Sequence, residues 1–325
     1  MKYISLPEEK PRRLSFYLAM EEYVARHLSE PECFFMWQVD PSVIFGRNQL
    51  IENEVNLAYC RTHGIQMYRR KSGGGCVYAD RSNVMFSYIT SADNVAFTFS
   101  KYMGMVVFML QQLGLDAKAN GRNDVMVGES KVSGNAFYHL PGRCIVHGTM
   151  LYDTCMEHMV GAITPTDEKL LSKGVQSVRQ RIALLKDYIA LTLDEFKSYV
   201  RRMMCDGEIR LSVNDVVHIE KLEREYLSES FIYGRNPKYT LVRRQRTEGV
   251  GELEARMEIK NGVIMDMNLV GDYFLVGELD ALLHCLKGVA LQRDALSAAL
   301  PEELHHVILN LKKTDFINLL LNEQS

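Results

Sequence analysis

Arg69-Arg70-Lys71-Ser72-Gly73-Gly74-Gly75-Cys76-Val77-Tyr78 is the stretch from which the rest of the chain is best read. Three basic side chains run into a serine and three glycines. Glycine has no Cβ, so a bound group or another backbone can approach closely, and positive-φ conformations cost little. Successive backbone N–H groups in such a turn form a concave anion site, and the neighbouring cations add charge to it. Alone, the segment reads either as a cradle for a carboxylate or phosphate or as a tight turn.

The elements around it mix helices and strands. Ile65–Arg69 reads as a short strand feeding the glycines, and Cys76–Tyr78 and Val84–Ile89 as strands leaving them. Upstream, Leu14, Tyr17, Leu18, Val24 and Leu28 recur at helical spacing over 14–30. Strands are expected at Cys33–Trp37 and Val43–Phe45, and a short helix at 54–62. A buried helix over 98–113 closes at Gly114, a C-terminal glycine signal. Strand patterns follow at Val125–Val127, Val132–Tyr138 and Cys144–Leu151, a polar, basic loop at 165–180, and helices at 193–204 and 214–228. Strict strand–helix alternation is missing, so the fold class is α+β rather than doubly wound. After Asn236-Pro237 the pattern changes. Two strands, Leu253–Lys260 and Val263–Val270, flank the hairpin turn Asn261-Gly262 behind a strand at Tyr239–Arg246, and helices run from Glu278 onward. This divides the chain into 1–238 and a small α+β domain, 239–325.

Composition narrows the function. The 325 residues are 47% hydrophobic and 24% charged, which fits a soluble globular protein. A net charge of −3 supplies no basic field for nucleic acid. No apolar run approaches the ~18 residues of a membrane helix, and the N-terminus has no secretory signal pattern. Seven widely spaced cysteines without C-x-x-C point to reduced thiols of a cytoplasmic protein. Among nine histidines, the doublet His305-His306 reads as a solvated helix face.

Four further clusters carry chemistry. Asn123 and Asp124 offer polar groups for a nucleotide, and Asp124 a hard oxygen for Mg²⁺. In Lys131-Val132-Ser133-Gly134-Asn135-Ala136, strand alternation puts Lys131 and Ser133 on one face. A lysine there can stabilise charge developing on phosphate or acyl oxygen. His147-Gly148-Thr149 ends an apolar strand, and Lys173-Gly174-Val175-Gln176-Ser177-Val178-Arg179 is a second basic glycine loop.

Taken in order, these five segments resemble the lipoate–protein ligase family of the bacterial type with a C-terminal accessory domain. Leu18-Ala19-Met20-Glu21-Glu22, Phe45-Gly46-Arg47-Asn48-Gln49 and Tyr233-Gly234-Arg235-Asn236-Pro237 extend the resemblance over nearly the whole chain. It implies a large mixed-sheet catalytic domain of the lipoate/biotin ligase type. It also implies ATP-dependent activation of lipoate to lipoyl-AMP with Mg²⁺. The lipoyl group then passes to a lysine of a 2-oxoacid dehydrogenase E2 domain or the glycine-cleavage H protein, and the enzyme acts as a monomer.

By the same resemblance Lys131 is the catalytic residue. Arg70, Ser72, Gly73, Gly74, Gly75, Asn83, Asn123, Asp124, Ser133, Gly134 and His147 contact substrate or adenylate, with Asp124 also placed for the metal. Lys173, Gly174, Ser177 and Arg179 form the adenylate loop. Leu18, Met20 and Val77 are expected in the wall of an apolar acyl tunnel. The chain departs from the family in having Cys76 after the glycines, and Ala79-Asp80-Arg81-Ser82-Asn83 where His-Asp-x-Gly-Asn is usual. Two other readings are an ATP-independent octanoyl or lipoyl transferase using Cys76 or Cys144, and a non-catalytic lipoyl-domain-binding protein.

Overall fold

The computed structural model describes residues 1–91, 95–120, 123–163, 182–233 and 240–322. Its strands are β1 (Lys2–Ser5), β2 (Glu32–Trp37), β3 (Ser42–Phe45), β4 (Gln66–Arg69), β5 (Val77–Ala79), β6 (Val84–Thr90) and β7 (Ala117–Ala119). They continue with β8 (Asp124–Val127), β9 (Ser130–Leu140), β10 (Arg143–Met150), β11 (Gly207–Arg210), β12 (Leu241–Thr247), β13 (Gly251–Lys260) and β14 (Val263–Gly271).

Two compact units emerge. The first contains Met1–Phe45, Ile51–Arg70 and Cys76–Ile232; the second contains Gly46–Leu50, Lys71–Gly75 and the described part of Tyr233–Ser325. The two short loops join the second unit through backbone bonds. Gly271 N–H donates to Asn48 O at 2.9 Å, and Gly74 N–H donates to Tyr273 O at 3.2 Å. The glycine segment is therefore divided after Arg70, a partition that local sequence does not reveal.

Among the described residues of the first unit, eight strands form one mixed sheet in the order β11-β1-β2-β6-β10-β9-β8-β7, and β4-β3-β5 form a second. β1 pairs in parallel with β11 and β2; from β2 to β7 every neighbour is antiparallel. Side chains alternate across the large sheet. One face receives helix Leu14–His27, whose Leu18, Ala19 and Met20 enter a core with Phe35, Trp37, Met85 and Tyr138. The other receives helix Val95–Gln111: Phe99 meets Phe137 at 5.1 Å and Tyr102 stacks on Tyr88 at 5.7 Å. Burying such side chains contributes about 1.5–3 kcal/mol each.

A capping box of Ser212 and Asp215 starts helix Val213–Tyr226. That helix lies against Leu14–His27, with Tyr23 Oη donating to Asp215 at 2.5 Å and Ser15 Oγ to Glu223 at 2.6 Å. These bonds fix the rotation of the first helix and with it the inward direction of Glu21.

The second unit is a hairpin-linked sheet, β12-β13-β14, covered by short helices. Asn261 and Gly262 take φ of 52° and 76°, the two positive values a tight two-residue hairpin turn requires. Leu253, Ala255 and Met257 alternate inward onto Leu282, Leu296 and Phe316. His305 and His306 sit on a 3₁₀ turn, Leu304–His306, rather than on an α-helical face. All seven cysteines are free. No helix among the described residues is long and apolar enough to cross a membrane.

Candidate active site

The register across the sheet assembles the polar residues on the face covered by Leu14–His27. Trp37 lies opposite Met85, Met85 opposite Thr149, Thr149 opposite Gly134, and Gly134 opposite Asp124. One step along, Phe35, Ser87, His147 and Ala136 form a parallel row. The first row thus crosses from aromatic Trp37 to acidic Asp124, and the second places Ser87 and His147 beside it.

Lys131 reaches the acidic end through a register shift. Val125 pairs with Ser133 and Met126 with Lys131, so Val132 is an extra residue on β9. The bulge breaks the alternation expected for Lys131 and Ser133. Lys131 Nζ lies 2.8 Å from Asp124 Oδ1, and equally 2.8 Å from where a Cβ on Gly134 would stand. Ser133 turns the other way, to Asn135, whose Nδ2 donates to Ser133 Oγ at 3.1 Å. The shared-face expectation is corrected: Lys131 shares its face with Gly134 and Asp124.

The turn into β8 is tied down by amides. Asn120 Oδ1 accepts the N–H groups of Asn123 and Asp124 at 3.3 and 3.1 Å, and its Nδ2 donates to Asp124 Oδ2 at 3.2 Å. Asn123 Nδ2 donates to Asn135 O at 3.1 Å, and Asn135 N–H to Asn123 O at 2.8 Å. Gly148 leaves room for Asn135, since a Cβ there would fall 1.9 Å from Asn135 Oδ1. Asn120 and Asn135 were not among the expected site residues. Their signal is chemical: side-chain amides each next to a glycine, Asn120 before Gly121 and Asn135 after Gly134, able to donate and accept at once.

His147 belongs to a buried chain of hydrogen bonds. Its Nδ1 is 2.9 Å from Glu21 Oε2; Ser87 Oγ donates to Glu21 Oε1 at 2.6 Å and Trp37 Nε1 to Ser87 Oγ at 2.8 Å. Glu21 is fully buried, so these donors offset the cost of desolvating a carboxylate. Periodicity marks Glu21 only as one position on an amphipathic helix, and its partner is 126 residues away.

Arg70 is buried, and its Nη1 donates to Ile44 O at 3.0 Å. Burial lowers its guanidinium pKa to about 10, with Cys76 and Glu21 opposing the shift, so it is charged at neutral pH. Asn83 is also fully buried. Its Oδ1 accepts Tyr152 N–H at 3.2 Å, while its Nδ2 is a buried donor without a partner among the described residues. Ala79, at the family's histidine position, is packed in the core beside Leu18, Met20 and Val77.

In the second unit, Ser72, Gly73 and Gly74 are buried. A Cβ on Gly73 would fall 2.3 Å from Tyr273 O and 3.2 Å from Phe274 Cα. Arg47 N–H donates to Ser72 O at 2.9 Å, and Gly74, at φ 86°, gives its N–H to Tyr273 O. The expected row of exposed N–H groups is corrected accordingly: Gly73 and Gly74 admit a neighbouring backbone. Gly75 has nothing within 4 Å of a Cβ position. Lys173, Gly174, Ser177 and Arg179 lie outside the described residues.

The candidate nucleophiles are poorly ionised. Burial pushes the Cys144 thiol up to about 12 and the Cys76 thiol still higher. A thiol must be a thiolate to attack an acyl group.

Comparison with known proteins places these features. Residues 14–204 match the lipoyl protein ligase A/B catalytic domain, and residues 236–320 the bacterial lipoate protein ligase C-terminus. The chain is 35% identical over 316 residues to lipoate-protein ligase LplJ of Bacillus subtilis, covering 93% of this chain and 95% of that one. Among solved structures, it resembles the bipartite lipoate protein ligase of Thermoplasma acidophilum, analysed with its E2 lipoyl domain. That likeness has TM-score 0.65, 28% identity, and coverage of 74% of this chain and 100% of that chain. A lipoate-protein ligase A bound with ATP matches with TM-score 0.63 and 27% identity, over 72% of this chain and 99% of that chain.

Proposed function

Because this chain belongs to the lipoate–protein ligase family, we propose that it activates lipoate with ATP and transfers the lipoyl group to a lysine on an acceptor domain. The observation that carries the mechanism is the seating of Lys131 Nζ over Gly134 and beside Asp124.

A free carboxylate is a poor acyl donor. In the first half-reaction a carboxylate oxygen of lipoate attacks the α-phosphorus of ATP, the bond to the β-phosphate oxygen breaks, and pyrophosphate leaves. In the second, the neutral ε-amine of the acceptor lysine attacks the acyl carbon, AMP leaves, and the amine loses a proton as the amide forms. Both transition states concentrate negative charge where carboxylate and phosphate meet. Lys131 is assigned to face that charge, a contact typically worth roughly 3–4 kcal/mol of barrier. Asp124 holds the ammonium in position, and Asn120 holds Asp124. Arg70 stays charged while buried, which suits an anion-binding role, and Asn83 Nδ2, without a partner among the described residues, is assigned to the adenylate.

By resemblance alone, Asn123, Ser133, Gly134 and His147 are assigned to substrate or adenylate contact on the first unit; the same resemblance includes Ser72, Gly73, Gly74 and Gly75 among its contact residues. Lys173, Gly174, Ser177 and Arg179 are assigned to adenylate binding by resemblance. The acyl tail is assigned to the apolar cluster of Leu18, Met20, Trp37 and Val77. Mg²⁺ suits an oxygen donor set of one carboxylate plus nucleotide phosphates, and Asp124 is the carboxylate that fits. Bound there, it would neutralise phosphate charge. The acceptors proposed are E2 lipoyl domains or the glycine-cleavage H protein, met by a monomer in the cytoplasm. An ATP-independent transferase is disfavoured by the raised thiols of Cys76 and Cys144.

Mass spectrometry of an E2 lipoyl domain incubated with the protein, ATP, Mg²⁺ and lipoate tests the reading. One lipoyl group gained on lysine, dependent on ATP, is expected. Transfer from octanoyl carrier protein without ATP would contradict it.

A further inference from the structure

The second unit carries a side-chain cluster that the ligase reaction does not use. Ligand atoms of Glu303, His305 and His306 lie within 4.8 Å of one another. His306 Nδ1 is 3.3 Å from Glu303 Oε2, and the two imidazole rings are 4.3 Å apart. The spacing is produced by the 3₁₀ turn Leu304–His306, because residues three apart eclipse in that helix type, bringing Glu303 and His306 to one edge.

This turn is pinned at both sides. Leu304 and Ile308 are fully buried in the core of the unit. His306 N–H donates to Glu303 O at 3.2 Å, Ile308 N–H to Leu304 O at 2.9 Å, and Val276 N–H to Val307 O at 2.9 Å. A Cβ on Gly277 would fall 2.3 Å from His306 O, so glycine there admits the turn. The side chains are exposed on a fixed backbone: 67% for His306 and 65% for Glu303.

We propose that Glu303, His305 and His306 form a site for one zinc-class transition-metal dication on the second unit. Two imidazole nitrogens and one carboxylate oxygen suit Zn²⁺, with water completing the tetrahedron. Mg²⁺ and Ca²⁺ prefer all-oxygen sets, so this site takes a different class of ion from the one proposed at Asp124. Binding would clip the two ends of the turn together and stabilise the folded second unit by mass action.

The test uses the full-length reduced protein with Zn²⁺ in competition with a chelator, and Co²⁺ as a spectroscopic probe. The combined variant Glu303→Gln, His305→Ala, His306→Ala is expected to lose one metal equivalent. Each single change is expected to weaken that equivalent about tenfold or more. The Co²⁺ signal lost with the variant should lack sulfur charge-transfer absorption, which separates it from binding by the cysteines. All three positions are exposed, so the variant keeps its fold, and lipoate-dependent pyrophosphate release stays at the wild-type level. Equal stoichiometry and affinity in wild type and variant would overturn the proposal, as would an absence of saturable binding to the wild type.

Discussion

Lys131 and Gly134 are a coupled pair: the ammonium of Lys131 stands 2.8 Å from the place a Cβ on residue 134 would occupy. Gly134→Ala therefore displaces the far end of a flexible side chain rather than any backbone. Lipoate-dependent pyrophosphate release is expected to fall by about 10²–10³, while the thermal unfolding curve stays near that of the wild type. Unchanged turnover would detach Lys131's function from its position over residue 134.

Gly73 and Gly75 separate two uses of glycine in one segment. Gly73→Ala drives a methyl group to 2.3 Å from the Tyr273 carbonyl, where backbone must yield; Gly75→Ala meets nothing within 4 Å. Denaturant unfolding is expected to show a loss of about 1–3 kcal/mol for the first and little change for the second. Equal losses would mean that the close approach at Gly73 does not set its cost.

The Tyr23–Asp215 bond between two helices carries a pH signature. Hydrogen bonding to Tyr23 lowers the Asp215 pKa, so this contribution is present above the ordinary carboxylate range and is lost as pH falls through the lower folded-state value. Burial and Asp215 raise Tyr23 to about 12 from 10.0, so the tyrosine's contribution is full below about pH 10 and is lost as pH rises through about 12. Tyr23→Phe should cost about 1 kcal/mol at neutral pH and flatten both limbs of the stability profile. Limbs that survive the substitution would assign them to other groups.

Cys76→Ser tests the thiol reading. Burial favours the neutral thiol of Cys76, so the substitution should leave pyrophosphate release within about twofold of the wild type. Loss of turnover in a folded variant would return Cys76 to the chemistry.

The parts of the fold governed by local periodicity were legible. Helix Leu14–His27 follows from its apolar spacing, the β13–β14 hairpin from Asn261-Gly262, and helix Val95–Gln111 from its long apolar run closed by Gly114. Strand β1 and the edge strand β11 escaped because four residues of mixed polarity, Lys2–Ser5 and Gly207–Arg210, carry too little pattern, and their pairing joins opposite ends of the first unit's sequence. At the site, Asn123, Asp124, Lys131 and Gly134 were visible as residue types at telling spacing. The bulge at Val132 was not, because it exists only in the register against β8. The same holds for Glu21 beneath His147 and Tyr273 against Gly73, whose partners are remote in the chain.

Lipoate-dependent release of pyrophosphate from ATP by the wild type and by Lys131→Ala, measured beside their unfolding curves, tests the central claim most directly. The account predicts release by the wild type and a loss of about 10²-fold or more in a variant that remains folded. A folded Lys131→Ala protein that releases pyrophosphate at the wild-type rate would contradict it.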